Sequence, residues 1–208
     1  MLNNILGKKI GMTQLFDKNG NVVPVTVVNI NNWVVTQIKT SEKDGYTSLQ
    51  LGLLKNKYQD QTFSNEWLGA KQDHFLHLKE VHTGAPADYS VGQPVSITTV
   101  ALQEGDVVSV TGQCKGLGFQ GVVKRWGFSG GPSSHGSKFH RKPGSGGHLR
   151  RQGEVIKGKR FPGHAGTEQI TVKGLKIIRI DREAGCLFIK GAIPGKKDTL
   201  IAIKKQGI

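Results

Sequence analysis

Residues Gln113 to Arg160 read QCKGLGFQGVVKRWGFSGGPSSHGSKFHRKPGSGGHLRRQGEVIKGKR, and the organisation of the whole chain turns on them. Eleven basic side chains (Lys115, Lys124, Arg125, Lys138, Arg141, Lys142, Arg150, Arg151, Lys157, Lys159 and Arg160) stand against one acid, Glu154, giving a net charge of +10. The 112 residues before this stretch hold nine basic and ten acidic side chains, and the 48 after it hold nine and four. Ten of the chain's fourteen net positive charges therefore sit in one segment. Twelve glycines are there too, and between Ser129 and Glu154 the only large apolar side chains are Phe139 and Leu149. Such a segment cannot bury enough apolar surface to offset the entropy of ordering it. An anionic partner is expected to supply both the order and the opposite charge.

On both sides of the stretch the pattern is short β-type runs broken by turns. Before it come Ile10–Phe16, the turn Asp17-Lys-Asn-Gly20, Val22–Ile30, Trp33–Lys39 and Thr47–Leu53. Ser64 reads as an N-cap, and Trp67, Lys71, His74, Phe75 and Leu78 recur at helical spacing, which predicts one amphipathic helix over 65–79. Pro94–Val100 and Asp106–Thr111 return to strand character. After the basic stretch come Gln169–Val172, Leu175–Ile180, Cys186–Ile189 and Thr199–Lys204. Many short strands and one helix predict a mainly β fold, an antiparallel β-barrel formed by 1–112 and 161–208. Residues 113–160 are then a long loop extension with its tip about 127–153. A loop of that length without structure of its own is functional or disordered.

Composition narrows the partner. A pI near 9.9 with clustered Lys and Arg is the footprint of nucleic-acid binding. A membrane surface would ask for a basic amphipathic helix or a lipidation motif, and neither occurs. Two cysteines, Cys114 and Cys186, suggest no disulfide framework and fit a reducing cytoplasm. No run is apolar enough to span a bilayer as a helix.

Three motifs imitate catalysis. Gly116-Leu-Gly118-Phe-Gln-Gly121 matches the dinucleotide fingerprint, but Arg141 and Lys142 stand where its acid belongs. Gly127-Phe-Ser129-Gly-Gly131 matches a nucleophile elbow, but the following Pro132-Ser-Ser-His135-Gly136 is no helix. His135, His140, His148 and His164 with Cys114 fit no zinc spacing. No enzyme, metal, cofactor or small-molecule substrate is expected. The glycines instead permit close approach to a phosphate backbone. The histidines suit phosphate hydrogen bonds or base stacking, and the cations are interleaved with Trp126, Phe128, Phe139 and Phe161 as stacking platforms. RNA is favoured over DNA because an irregular loop suits folded RNA better than a regular groove.

Several segments, in order, carry a resemblance. They are Leu6-Gly-Lys-Lys-Ile-Gly-Met-Thr13, Pro24-Val-Thr-Val27, Val35-Thr-Gln37, Lys115-Gly-x-Gly-Phe-x-Gly121 and Val123-Lys-Arg-Trp126. Ser134-His-Gly136, His140-Arg-x-Pro-Gly-Ser145, Gly158-Lys159, Pro162-Gly163, Val172 and Lys190-Gly-Ala-Ile-Pro-Gly195 follow. Together they resemble the bacterial branch of the ribosomal protein three family of the large ribosomal subunit, over nearly the whole chain. The resemblance implies a translation-protein-type barrel and a loop threaded through large-subunit ribosomal RNA, its tip near the peptidyl-transferase centre and without chemistry of its own. It also implies early binding in subunit assembly, neighbouring large-subunit proteins as further partners, and a place on the cytoplasmic ribosome. Lys115, Lys124, Arg125 and Trp126 would lie at the loop's base, His140, Arg141, Gly144 and Ser145 towards its tip, and Lys157, Lys159 and Arg160 on the returning limb. Ser109, Cys114 and Leu117 depart from the family's glycine signature. Arg150 stands where many relatives carry a methylated glutamine, so that modification is not expected, and Arg150 with Arg151 suggests added phosphate contacts.

Overall fold

The computed structural model describes residues 2, 4–59, 61–83, 88–99, 102–147 and 153–206. Its strands are β1 (Asn4–Phe16), β2 (Val22–Asn29), β3 (Trp33–Lys39), β4 (Ser48–Leu54), β5 (Phe75–His82), β6 (Pro94–Val95), β7 (Val107–Gln113), β8 (Gly118–Gln120), β9 (Gly163–Ala165), β10 (Gln169–Asp181), β11 (Cys186–Lys190) and β12 (Leu200–Lys205). Three short helices are α1 (Ser41–Asp44), α2 (Lys71–His74) and α3 (Val122–Trp126). The chain divides into two compact units, Met1–Gln113 with Gln169–Ile208, and Cys114–Glu168. Among the described residues no helix is long and apolar enough to cross a membrane.

In the first unit six strands close an antiparallel barrel in the order β1-β12-β7-β10-β11-β2, and a second sheet runs β5-β4-β3-β6. The sequence reason is alternation: β7 and β12 each bury every second residue, Val108 and Val110 in one, Ile201 and Ile203 in the other. These pack with Ile5, Val28, Ile177, Leu187 and Ile189 of the barrel and with Trp33, Val35, Leu49, Leu51 and Val81 of the second sheet in one apolar core. Closure removes the barrel's edges, which would otherwise be templates for aggregation. A smaller cluster of Val34, Leu54, Trp67 and Phe75 lies apart from that core.

Three of the signature segments meet in this barrel. Lys9, only 9% exposed, donates from Nζ to the carbonyls of Ile193 and Gly195, both at 2.9 Å. Thr26 Oγ1 donates to the Gly191 carbonyl at 2.6 Å, and the Gly191 amide to the Pro24 carbonyl at 2.9 Å. A Cβ on Gly7 would stand 2.9 Å from the Asn29 carbonyl, so β1 can approach β2 there only as glycine. Segments 6–13, 24–27 and 190–195 thus form one clamp, in which a buried ammonium satisfies turn carbonyls that water cannot reach.

Three sequence expectations are corrected. Residues 65–79 are not one helix: a 3₁₀ turn spans Asn65–Leu68, α2 is a single turn, and Phe75 begins strand β5, which pairs with β4 from Leu54↔Phe75 to Ser48↔His82. Ser64 does cap, accepting from the Glu66 amide. The helical spacing is accidental, because Trp67 and Phe75 are buried from two different elements and the open edge of β4 recruits 75–82 as a strand. Pro94–Val100 likewise shortens to β6 followed by a 3₁₀ turn at Ile97–Thr99, and Val100 lies outside the described residues. Gln169–Val172 and Leu175–Ile180 merge into the single strand β10, whose pairing with β7 slips between Val172 and Leu175, where Gly174 takes φ +74°.

Candidate nucleic-acid interface

The last residue of β7 and the first of β10 are register partners, Gln113↔Gln169. The second unit therefore leaves and rejoins the barrel at one point. It contains the eleven basic side chains of the glycine-rich stretch and two acids, Glu154 and Glu168, a net of +9. Among its described residues only Val122 is buried. Among these described residues no core holds the unit; turns and a few side-chain bonds do.

Its base is a two-stranded ribbon. β8 and β9 pair antiparallel, Gly118↔Ala165 to Gln120↔Gly163. The Leu117 amide donates to the Ala165 carbonyl and the Cys114 amide to the Glu168 carbonyl, both at 2.9 Å. Gly166, at φ +79°, passes so close that a Cβ there would overlap the Lys115 carbonyl oxygen. Residues 161–168 thus belong to this unit and not to the barrel body, a correction to the boundary expected from sequence, because 163–165 find their strand partner in 118–120.

The glycine fingerprint does not take the strand–turn–long helix form of a dinucleotide site. Gly118 lies inside β8 instead of after a strand, and α3 is a five-residue helix stopped by Gly127 in the left-handed region at φ +72°. One helical turn follows the glycines, and Gly127 ends it. From α3 two side chains reach back across the limbs. Arg125 Nη1 and Trp126 Nε1 both donate to the Phe161 carbonyl, each at 2.9 Å. The Arg125 guanidinium lies 4.9 Å from the Trp126 ring centre and that of Arg160 lies 5.3 Å from it. Three residues expected at the base and the returning limb therefore form one clasp.

Beyond the clasp the backbone turns on itself. The Gly131 amide donates to the His140 carbonyl at 2.7 Å, with Phe139 packed on Gly131. His135 and His140 occupy left-handed φ, +56° and +47°, so these two histidines also serve as turn residues. Lys115, Lys124, His135, Lys138, His140, Arg141, Lys142, Lys157, Lys159 and Arg160 are exposed, and none of these side chains forms an ion pair among the described residues. The structure joins Arg125, Trp126 and Arg160, and leaves the others spread along both limbs. His148, Arg150 and Arg151, with the 148–152 part of the tip, lie outside the described residues. Among the described residues no three His, Cys, Asp or Glu side chains gather to hold a metal. Sequence reasoning missed the Phe161 carbonyl and the close approaches at Gly163 and Gly166. The Gly163-x-x-Gly166 spacing facing Gly116 and Gly118 was the available signal.

The family model described as Ribosomal protein L3 matches residues 86–186. The chain is 41% identical to the Large ribosomal subunit protein uL3 of Bdellovibrio bacteriovorus over 208 residues, covering 99% of this chain and 94% of that protein. The chain belongs to the uL3 family. The uL3 protein of Dehalococcoides mccartyi is 42% identical over the full length of both chains, and that of Lactobacillus acidophilus is 44% identical over 98% of this chain and 95% of its own. The uL3 relatives span the barrel strands and the glycine-rich unit alike, so both are parts of the family's shared chain.

Proposed function

We propose that the chain is a non-enzymatic structural constituent of the large ribosomal subunit, located on the cytoplasmic ribosome. It binds large-subunit ribosomal RNA directly through the Cys114–Glu168 unit, beside neighbouring large-subunit proteins. The observation that carries this reading is a unit of net charge +9 with a single described buried residue and unpaired, exposed cations. Such a unit gains by exchanging counterions for phosphates. Lys115, Lys124, Lys138, Arg141, Lys142, Lys157, Lys159 and Arg160, together with Arg150 and Arg151, are the phosphate contacts of this reading, and His135, His140 and His148 add hydrogen bonds. Trp126, 39% exposed, belongs to the same interface, where a base would share its indole with Arg125 and Arg160. Binding early in assembly and a tip near the peptidyl-transferase centre complete the proposal, by kinship with the uL3 relatives.

The test is a salt titration on large-subunit RNA. Replacing Lys157, Lys159 and Arg160 with Ala should lower the slope of log affinity against log salt by up to about 0.9 for each phosphate the variant no longer neutralises. An unchanged slope removes those residues from the interface. Protease cleavage within 127–153 should be suppressed by the RNA, and equal cleavage with and without it would refute ordering on binding.

A further inference from the structure

A second group of cations, on the barrel itself, is gathered by strand order and not by sequence. A cleft of about 480 Å³ is lined by Lys18 of the β1–β2 turn, Lys176 and Arg179 of β10, and Lys190 at the end of β11. All four are exposed, and none forms an ion pair among the described residues. Two acids also line it, Asp17 and Glu104, and each commits a carboxylate oxygen to a backbone amide, Asp17 to Lys18 at 2.7 Å and Glu104 to Ile180 at 2.9 Å. Phe16, 70% exposed, stands on the same cleft.

A bulge makes this arrangement. The β10–β11 register passes from Ile177↔Ile189 to Arg179↔Phe188, so Ile178 is an extra residue. Strict alternation after buried Ile177 would turn Arg179 inward; the extra residue returns it to the outer row with Lys176. The Arg179 guanidinium then lies 6.0 Å from the Phe188 ring centre, which limits its wandering.

We propose that this cleft is a separate RNA seat, which takes phosphodiester oxygens on Lys18, Lys176, Arg179 and Lys190 and a base against Phe16. The proposal rests on the chain being an RNA-binding protein. RNA is the occupant because unpaired cations beside an exposed aromatic ring match a phosphate joined to a base. An acidic protein segment would leave Phe16 without a stacking partner.

The full chain, free and bound to large-subunit RNA, is lysine-acetylated and read by mass spectrometry. The seat requires Lys18, Lys176 and Lys190 to be protected by RNA alone. The K176Q/R179Q/K190Q variant should lower the log–log salt slope by about 2, at roughly 0.7–0.9 per neutralised phosphate. Phe16→Ala should weaken binding about tenfold with the slope unchanged, as removal of one stacked base would. If Lys157 and Lys159 are protected while Lys176 and Lys190 react equally in both states, the seat is wrong and the proposed function stands. If no lysine is protected, the proposed function fails and the seat with it. Protection of the cleft that appears only after other large-subunit proteins are added assigns it to an acidic protein partner and overturns the RNA seat.

Discussion

Arg125→Ala should open the base of the glycine-rich unit before it does anything to RNA. Arg125 is half-buried and donates a charge-assisted hydrogen bond to the Phe161 carbonyl at 2.9 Å, while its guanidinium lies 4.9 Å from the Trp126 ring centre. At the low end suited to a partly exposed site, the hydrogen bond contributes about 1.5 kcal/mol. The cation–π interaction adds about 0.5 kcal/mol. Removing about 2 kcal/mol raises the opening constant of the ribbon about 30-fold, since 1.4 kcal/mol is tenfold. Trp126→Phe keeps an aromatic ring but removes the Nε1 donor to the same carbonyl, which costs about 1 kcal/mol, or roughly fivefold. Both donors share one acceptor, so the double variant should fall short of the sum of the two. The assay is native-state amide exchange in the RNA-free chain, read at residues 118–120 and 163–165. If Arg125→Ala leaves exchange there unchanged yet weakens RNA binding with a shallower salt slope, Arg125 is a phosphate contact and the clasp is wrong.

Lys9→Met should destabilise the barrel by about 2–4 kcal/mol in urea unfolding, because the carbonyls of Ile193 and Gly195 are deprived of their buried donor; a change under about 0.5 kcal/mol would refute the clamp. Gly166→Ala should expose 114–120 to proteolysis while leaving barrel unfolding unchanged, since φ +79° and the Lys115 carbonyl oxygen leave no room for a Cβ; wild-type cleavage would count against it. Acid should weaken the first unit, second sheet and barrel alike, in a defined direction. The Lys39 and Tyr46 hydrogen bonds hold Glu80 below its ordinary value of 4.5, and the Lys205 hydrogen bond, with the Gln103 amide, holds Asp106 below its ordinary 3.8. Depressed carboxylates lend stability that is full above these ordinary values and fades as pH falls below them. Thermal melts of Glu80→Gln and Asp106→Asn should therefore drop less between pH 6 and about 3 than those of the parent chain do, and equal drops would refute the assignment.

The barrel is legible in the sequence because its strands are half-buried and alternate. Val108 and Val110, or Ile201 and Ile203, announce a face without any knowledge of partners. Residues 65–79 mislead because periodicity records which residues are buried and not by which element. Trp67 is buried from a 3₁₀ turn and Phe75 from a strand, and their eight-residue separation imitates two helical turns. Charge density falls at 161 and so places the chain's return to the barrel there, whereas pairing with 118–120 keeps residues up to 168 in the other unit. The barrel cleft is invisible in the sequence for a related reason. Lys18 lies in a stretch of net charge −1, and it meets Lys176, Arg179 and Lys190 only through the order β10-β11-β2-β1.

The glycine-rich unit obeys the compositional argument and also limits it. A segment with one described buried side chain has no core to set its conformation. Yet left-handed turns at Gly127, His135, Gly136 and His140, a three-residue ribbon and one carbonyl shared by Arg125 and Trp126 specify its limbs. These devices are local, so each contributes little, and like charges oppose them: two guanidinium groups share the Trp126 indole. That repulsion is largest at low salt and without a polyanion. A phosphate brought near Arg125 and Arg160 would relieve it and strengthen the clasp that orients them. On the proposed function, RNA then selects and tightens a path the backbone already favours, and the ordering entropy that must be met on binding falls mostly on the limbs beyond the clasp.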